Sequence, residues 1–191
     1  MKTSGVPSNH SVNLPIRPVT SRASARPAPG RLAGYAGRRG RNNAEMSTIE
    51  HAIKIAAEAH AGQVDKAGAP YILHPLRVML RMNTNDERIV AVLHDVVEDS
   101  HWSLDLLSAE GFSEQVVRAI DSVTRRDSET YEEFVLRAGL DPVGRRVKFA
   151  DLEDNCDLGR IAAPTEKDHA RIDRYRRAIE QLRRQDAKPA P

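Results

Sequence analysis

From residue 46 onward the sequence repeats one device, a capping residue followed by apolar side chains three and four positions apart. Ser47-Thr-Ile-Glu50 reads as a capping box opening a first helix with Ile49, Ala52, Ile53, Ala56 and Ala57 on one face, ending near Gly62. After a Gly-containing connection, His74-Pro75 opens a short second helix with Pro at its first position. Thr84 to Glu87 is another capping box and starts a third helix that is expected to run through Asp99. Ser103 caps a short fourth that stops at Gly111, and Ser113 opens a fifth whose stripe is Val116, Val117, Ile120 and Val123. Tyr131 to Ala138, closed by Gly139, is a sixth; Asp141-Pro142 opens a seventh, and Thr165 with Asp168 caps the last. No segment alternates as a strand does, so the expectation is an all-α domain, a helical bundle over 46–186 with one core.

Charge divides the chain differently. Residues 1–44 hold eight of the 29 Lys and Arg and no Asp or Glu, so the remainder carries 21 positive charges against 27 negative, a net of −6. A basic total therefore says nothing of nucleic acid binding by the folded domain, and the aromatic content of 4% gives it few stacking surfaces. Residues 1–45, rich in Pro, Gly and Arg without apolar periodicity, are expected to be disordered, as is the tail 187–191. Three readings of the leader stand: an Arg- and Ser-rich transit peptide, a basic tail for an acidic partner, or a segment upstream of a true start at Met46. No run approaches the roughly 20 apolar residues of a membrane helix. Cys156, the one cysteine, excludes an internal disulfide and fits a reducing, cytoplasmic setting.

The chemistry concentrates on the third helix. At about 100° per residue, His94, Glu98, Ala91, Asp95 and Asp99 share one arc, and Ile89, Val90, Val92, Leu93, Val96 and Val97 the opposite one. Three clustered carboxylates repel one another, and a cation would remove that cost. Imidazole with carboxylate suits Mn²⁺, Fe²⁺ or Zn²⁺. His74, after Tyr71-Ile-Leu, is a candidate third ligand and Asp151 a fourth, on a helix face shared with Lys148 and Asn155. Each of these alone has a plainer reading, a core histidine or a Lys148–Asp151 ion pair; the four together favour a metal.

His60-Ala-Gly-Gln63, Gly68-Ala-Pro-Tyr71-Ile-Leu-His74-Pro75, Leu93-His94-Asp95-Val-Val-Glu98-Asp99 and Lys148-Phe-Ala-Asp151 to Asn155 resemble the HD-domain hydrolases of the RelA/SpoT type, including the small stand-alone alarmone hydrolases. Ser122-Val-Thr124 is similar to the segment after the family's HD helix. The resemblance, over about residues 51–160, implies an HD-domain helical bundle with Mn²⁺, or another divalent metal, on His74, His94, Asp95 and Asp151. It implies that Glu98 and Asp99 position or deprotonate the attacking water and that Asn155 contacts the nucleotide. Lys66 and Lys148 are candidate phosphate contacts by their charge alone, with ordinary surface lysines as the plainer reading. The implied reaction removes the 3′-pyrophosphate of guanosine tetra- or pentaphosphate.

Two segments depart from the family pattern. Val64-Asp65-Lys66 stands where the family commonly has Arg-Lys after the Gly-Gln, so an anion replaces a cation that holds the guanine, and on this reading Asp65→Arg should lower KM for guanosine substrates. Asp151-Leu-Glu-Asp-Asn155 replaces Asp-Arg-Leu-His-Asn. Two alternatives follow: a phosphomonoesterase acting on another nucleotide or small phosphate ester, or a binding-only regulator. The second has no use for the Glu98–Asp99 pair.

Overall fold

A computed structural model describes residues 47–186, in which every regular element is helical apart from one isolated β-bridge. The expected basic segment 1–45, the start at Met46 and the tail 187–191 lie outside the described residues.

Helix α1 is Ile49–Ala59, and its cap is Thr48, one residue later than the sequence suggests. Ser47 is diverted: its N–H donates to the Gly111 carbonyl at 3.1 Å and its hydroxyl to that of Glu110, which ties the start of α1 to a distant turn. Helix α2, Leu73–Leu80, starts ahead of His74, so Pro75 is its third residue and not its first. The ring is still tolerated, because the N–H it lacks is one of the four with no partner inside the helix. Helix α3, Asn85–Leu93, opens on the expected Thr84–Glu87 box. It does not continue to Asp99: a turn at His94-Asp95 separates it from α4, Val96–Asp99.

Helices α5 (Leu104–Ala109), α6 (Glu114–Val123) and α7 (Tyr131–Ala138) are capped by Ser103, Ser113 and Thr130. Helix α8, Pro142–Asn155, has Asp141 as its cap with Pro142 in the first turn. A short 3-10 turn, Leu158–Arg160, precedes α9, Glu166–Asp186, where Thr165 and Asp168 bond reciprocally.

Helix α3 is the axis of the domain and packs on α1, α2, α6 and α8. Val90, Ala91, Val92 and Leu93 are all 0% exposed, so the end of α3 is apolar on every side, and Ala91 belongs to the core and not to a polar arc. Glu87 is buried on the same helix. Burial pushes its carboxyl up, but the Arg146 guanidinium and the N–H groups of Asn83 and Thr84 outweigh that and hold it below its ordinary range. Helix α8 approaches α6 closely because residue 144 is glycine: a Cβ there would stand 1.9 Å from Ser122 Oγ. A second apolar cluster, Val135, Leu152, Ala178, Ile179 and Leu182, joins α7, α8 and α9. Tyr131, Tyr175 and Cys156 pack on it, so Cys156 is half-buried filler. Among the described residues no helix is long and apolar enough to cross a membrane.

Candidate metal centre

The interruption of α3 builds the centre. His94 Nδ1 lies 2.7 Å from the Ala91 carbonyl, an atom that only accepts, so Nδ1 carries the proton. That carbonyl is the one a continuous helix would offer to residue 95, and Asp95 turns at φ −100°, ψ −6°. The turn brings adjacent side chains to one point: His94 Nε2 is 3.0 Å from Asp95 Oδ2. From α2, His74 Nε2 stands 3.8 Å from the same oxygen and 3.1 Å from Asp151 Oδ1 of α8, which is 3.7 Å from His94 Nε2. Thus His74, His94, Asp95 and Asp151 meet, with His74, His94 and Asp95 presenting donor atoms within 4.8 Å of one another.

The donor set fits a divalent cation. His74 Nδ1 donates to Asp154 Oδ2 at 2.7 Å, so in both rings the proton sits on Nδ1 and the Nε2 lone pair points at anionic oxygens. His94 Nε2 is buried with no hydrogen-bond partner of good geometry, although a carboxylate oxygen lies beside it. Lone pairs converging on carboxylates need either protons or a metal between them. Without a metal, protons fill the role. Burial opposes charge on both imidazoles, yet the Asp95 charge at His94, and the hydrogen bonds of Asp151 and Asp154 at His74, raise both above the usual histidine range. Burial likewise opposes ionisation of Asp95 and Asp151, but His94 and Lys148 respectively hold them below the ordinary carboxylate range.

Glu98 and Asp99 lie one turn beyond, at the exposed end of α4 beside the cluster. Glu98 Oε1 accepts the Arg125 N–H at 2.7 Å, which steadies the carboxylate. Desolvation raises both carboxyls above their usual values, with the Asp95 charge adding to the effect. Lys148 Nζ is 2.9 Å from Asp151 Oδ2 and 4.6 Å from the centre of the Phe134 ring, while Asn155 Nδ2 donates to Asp151 Oδ1 at 2.5 Å. The structure therefore joins Lys148 and Asn155 to a candidate ligand. Lys66 stands on the loop before α2, where partial burial and then the Arg171 charge of α9 lower its pKa.

That loop explains residue 65. Asp65 N–H donates to the Ala69 carbonyl at 2.8 Å, and Oδ1 accepts the N–H groups of Ala67 and Ala69 at 2.9 and 3.0 Å around Gly68, whose φ of +81° suits glycine. Asp65 is thus the keystone of a tight turn and its carboxylate faces inward. Asp65→Arg is accordingly expected to leave two N–H groups without their acceptor, lowering stability by about 1 kcal/mol and not improving KM, as thermal melts with steady-state kinetics would show.

Sequence reasoning missed the supports of the cluster. Tyr71, three residues before His74, donates its hydroxyl to Asp95 Oδ2 at 2.5 Å. His60 Nδ1 pairs with Gln63 Oε1 at 2.8 Å, and Gln63 Nε2 reaches the Asp99 carbonyl at 3.3 Å, which pins the loop to the end of α4. Asp154 was legible only as a departure from a pattern, yet it is the partner of His74.

No protein-family model matches the chain. It is 32% identical over 134 residues to a probable GTP pyrophosphokinase of Mycobacterium leprae, covering 63% of this chain and 17% of the relative. It is 32% identical over 119 residues to a guanosine-3′,5′-bis(diphosphate) 3′-pyrophosphohydrolase of Aquifex aeolicus, covering 56% and 17%. A Vibrio cholerae protein of the same name is 30% identical over 126 residues, covering 58% and 18%. The chain thus spans under a fifth of the length of these relatives. Among solved structures, a metazoan ortholog of SpoT that hydrolyzes ppGpp superposes with a TM-score of 0.60 at 21% identity, over 79% of this chain and 89% of that one, which establishes the all-α fold. The chain is thus similar, over a segment of their length, to proteins named as guanosine-3′,5′-bis(diphosphate) 3′-pyrophosphohydrolases and GTP pyrophosphokinases, and it shares its all-α fold with a SpoT ortholog.

Proposed function

We propose that the protein is a metal-dependent phosphohydrolase that removes the 3′-pyrophosphate of guanosine tetra- or pentaphosphate, with Mn²⁺ held by His74, His94, Asp95 and Asp151. The observation that carries this reading is the convergence of two imidazole Nε2 atoms and two carboxylates, each ring with its Nδ1 proton already committed elsewhere. When bound, such a cation lowers the pKa of a water and neutralises phosphate oxygens.

The chain's own groups supply the rest. Glu98, with one oxygen held by the Arg125 N–H, keeps the other for the proton of the attacking water, and its raised pKa brings its basicity closer to that task. Asp99 orients that water from the same turn. Lys148 and Asn155 steady Asp151 and offer their remaining donors to substrate oxygens, and Lys66 adds a cation for a phosphate at the loop. Two of the proteins that this chain matches over part of their length bear the name of this activity.

One observation favours the phosphomonoesterase alternative: Asp65 is turned into its own loop and presents no cation to a base. A panel of nucleotides offered to the Mn²⁺-loaded full chain distinguishes the two. Turnover of 3′-pyrophosphorylated nucleotides, with weak discrimination between guanosine and adenosine forms, is expected. Turnover confined to monophosphates would replace the reading with a phosphomonoesterase.

A further inference from the structure

One residue from each of the two departing segments, Asp65 and Asp154, meets the same arginine. Arg160 Nη1 is 3.7 Å from Asp65 Oδ2, and Arg160 Nη2 is 3.1 Å from Asp154 Oδ2. Arg77 grips the same carboxylate from α2 at 2.8 and 2.9 Å, one bond to each oxygen. The Asp154 side chain is 10% exposed and so depends on these partners. Its one remaining bond is to His74 Nδ1, 2.7 Å away, on the ring whose other nitrogen faces the cluster. A carboxylate behind a ligating imidazole fixes the tautomer and the ring plane and raises the donor strength of the far nitrogen.

We propose that Asp154 is the positioning residue for His74, and that Arg160 locks it to Asp65 so that the 63–72 loop and the metal centre form one unit. This rests on the metal-centre reading above. It also accounts for the anion at 65: a cation there would oppose Arg160, which the carboxylate at 154 requires. The loop ends in Tyr71, which holds Asp95, so two of the four candidate ligands are set by one chain of contacts from opposite sides.

The test is Mn²⁺ affinity of the full chain by calorimetry, with the visible spectrum of the Co²⁺-loaded protein as a signature of ligand geometry. Asp154→Asn keeps the size and one acceptor but loses the charge, and is expected to weaken Mn²⁺ binding by about 10- to 100-fold and to alter the Co²⁺ bands. Asp157→Asn, which removes an exposed carboxylate from the same Arg160, should leave both unchanged. If Asp154→Asn does not fold, Arg160→Met, which leaves the Arg77 grip in place, should weaken binding several-fold with helical content intact. Binding by a folded Asp154→Asn, or in its place by Arg160→Met, equal to that of the unaltered protein would overturn the positioning role alone. No Mn²⁺ binding by the unaltered protein would overturn the metal centre and the proposal with it.

Discussion

His94→Ala is expected to abolish binding of the proposed divalent cation while leaving the protein folded. The imidazole is 1% exposed, with Nδ1 spent on the Ala91 carbonyl and Nε2 on the cluster, so nothing nearby can take the place of the lost lone pair. Removal also releases the Ala91 carbonyl, which Asp95 N–H can then claim by continuing the helix, swinging the neighbouring carboxylate away. Elemental analysis after gel filtration should find no bound Mn²⁺, and circular dichroism should find the helices in place. Retention of a full equivalent would place the metal on other residues.

Glu98→Gln should give the opposite split. The amide can still accept the Arg125 N–H through its oxygen, so the turn survives and the ligands are untouched. It cannot take a proton, and kcat should fall by about 10²- to 10⁴-fold with metal content unchanged. The pH dependence carries a sign of its own. A base must be ionised to act, and desolvation raises the Glu98 carboxyl above its ordinary value, so kcat should fall with decreasing pH at a higher pH than a solvated glutamate would impose. The residual rate of the glutamine variant should lack that limb. If the variant emerged free of metal, Glu98 would be a ligand and the base would have to be sought at Asp99.

Much of this was legible in the residues themselves. Caps such as Thr84–Glu87, Ser113 and Asp141 act over three or four positions, and the chain alone determines whether they form. The group of four candidate ligands was legible too, because blocks containing His74, His94-Asp95 and Asp151 occur in a fixed order. What escaped was whatever depends on a tertiary partner. Ser47 loses its capping role to a carbonyl 63 residues away, and the helical arc drawn through Asp99 failed because the chain turns at His94-Asp95, where the His94 ring bonds the Ala91 carbonyl. Asp154 escaped for the same reason. Its partner is 80 positions distant, and a lone Asp one turn from Asp151 reads as a solvated charge until α2 and α8 are packed together.

The most direct measurement pairs metal content with product release on one sample. Full-length protein is stripped with a chelator, reloaded with Mn²⁺ in steps, and assayed at each step for bound metal and for pyrophosphate released from guanosine tetraphosphate. The expected result is a rate near zero in the stripped protein that rises in proportion to metal up to one equivalent per chain, with GDP and pyrophosphate formed in equal amounts. Equal rates in stripped and loaded protein, or orthophosphate in place of pyrophosphate, would contradict a metal-dependent 3′-pyrophosphohydrolase.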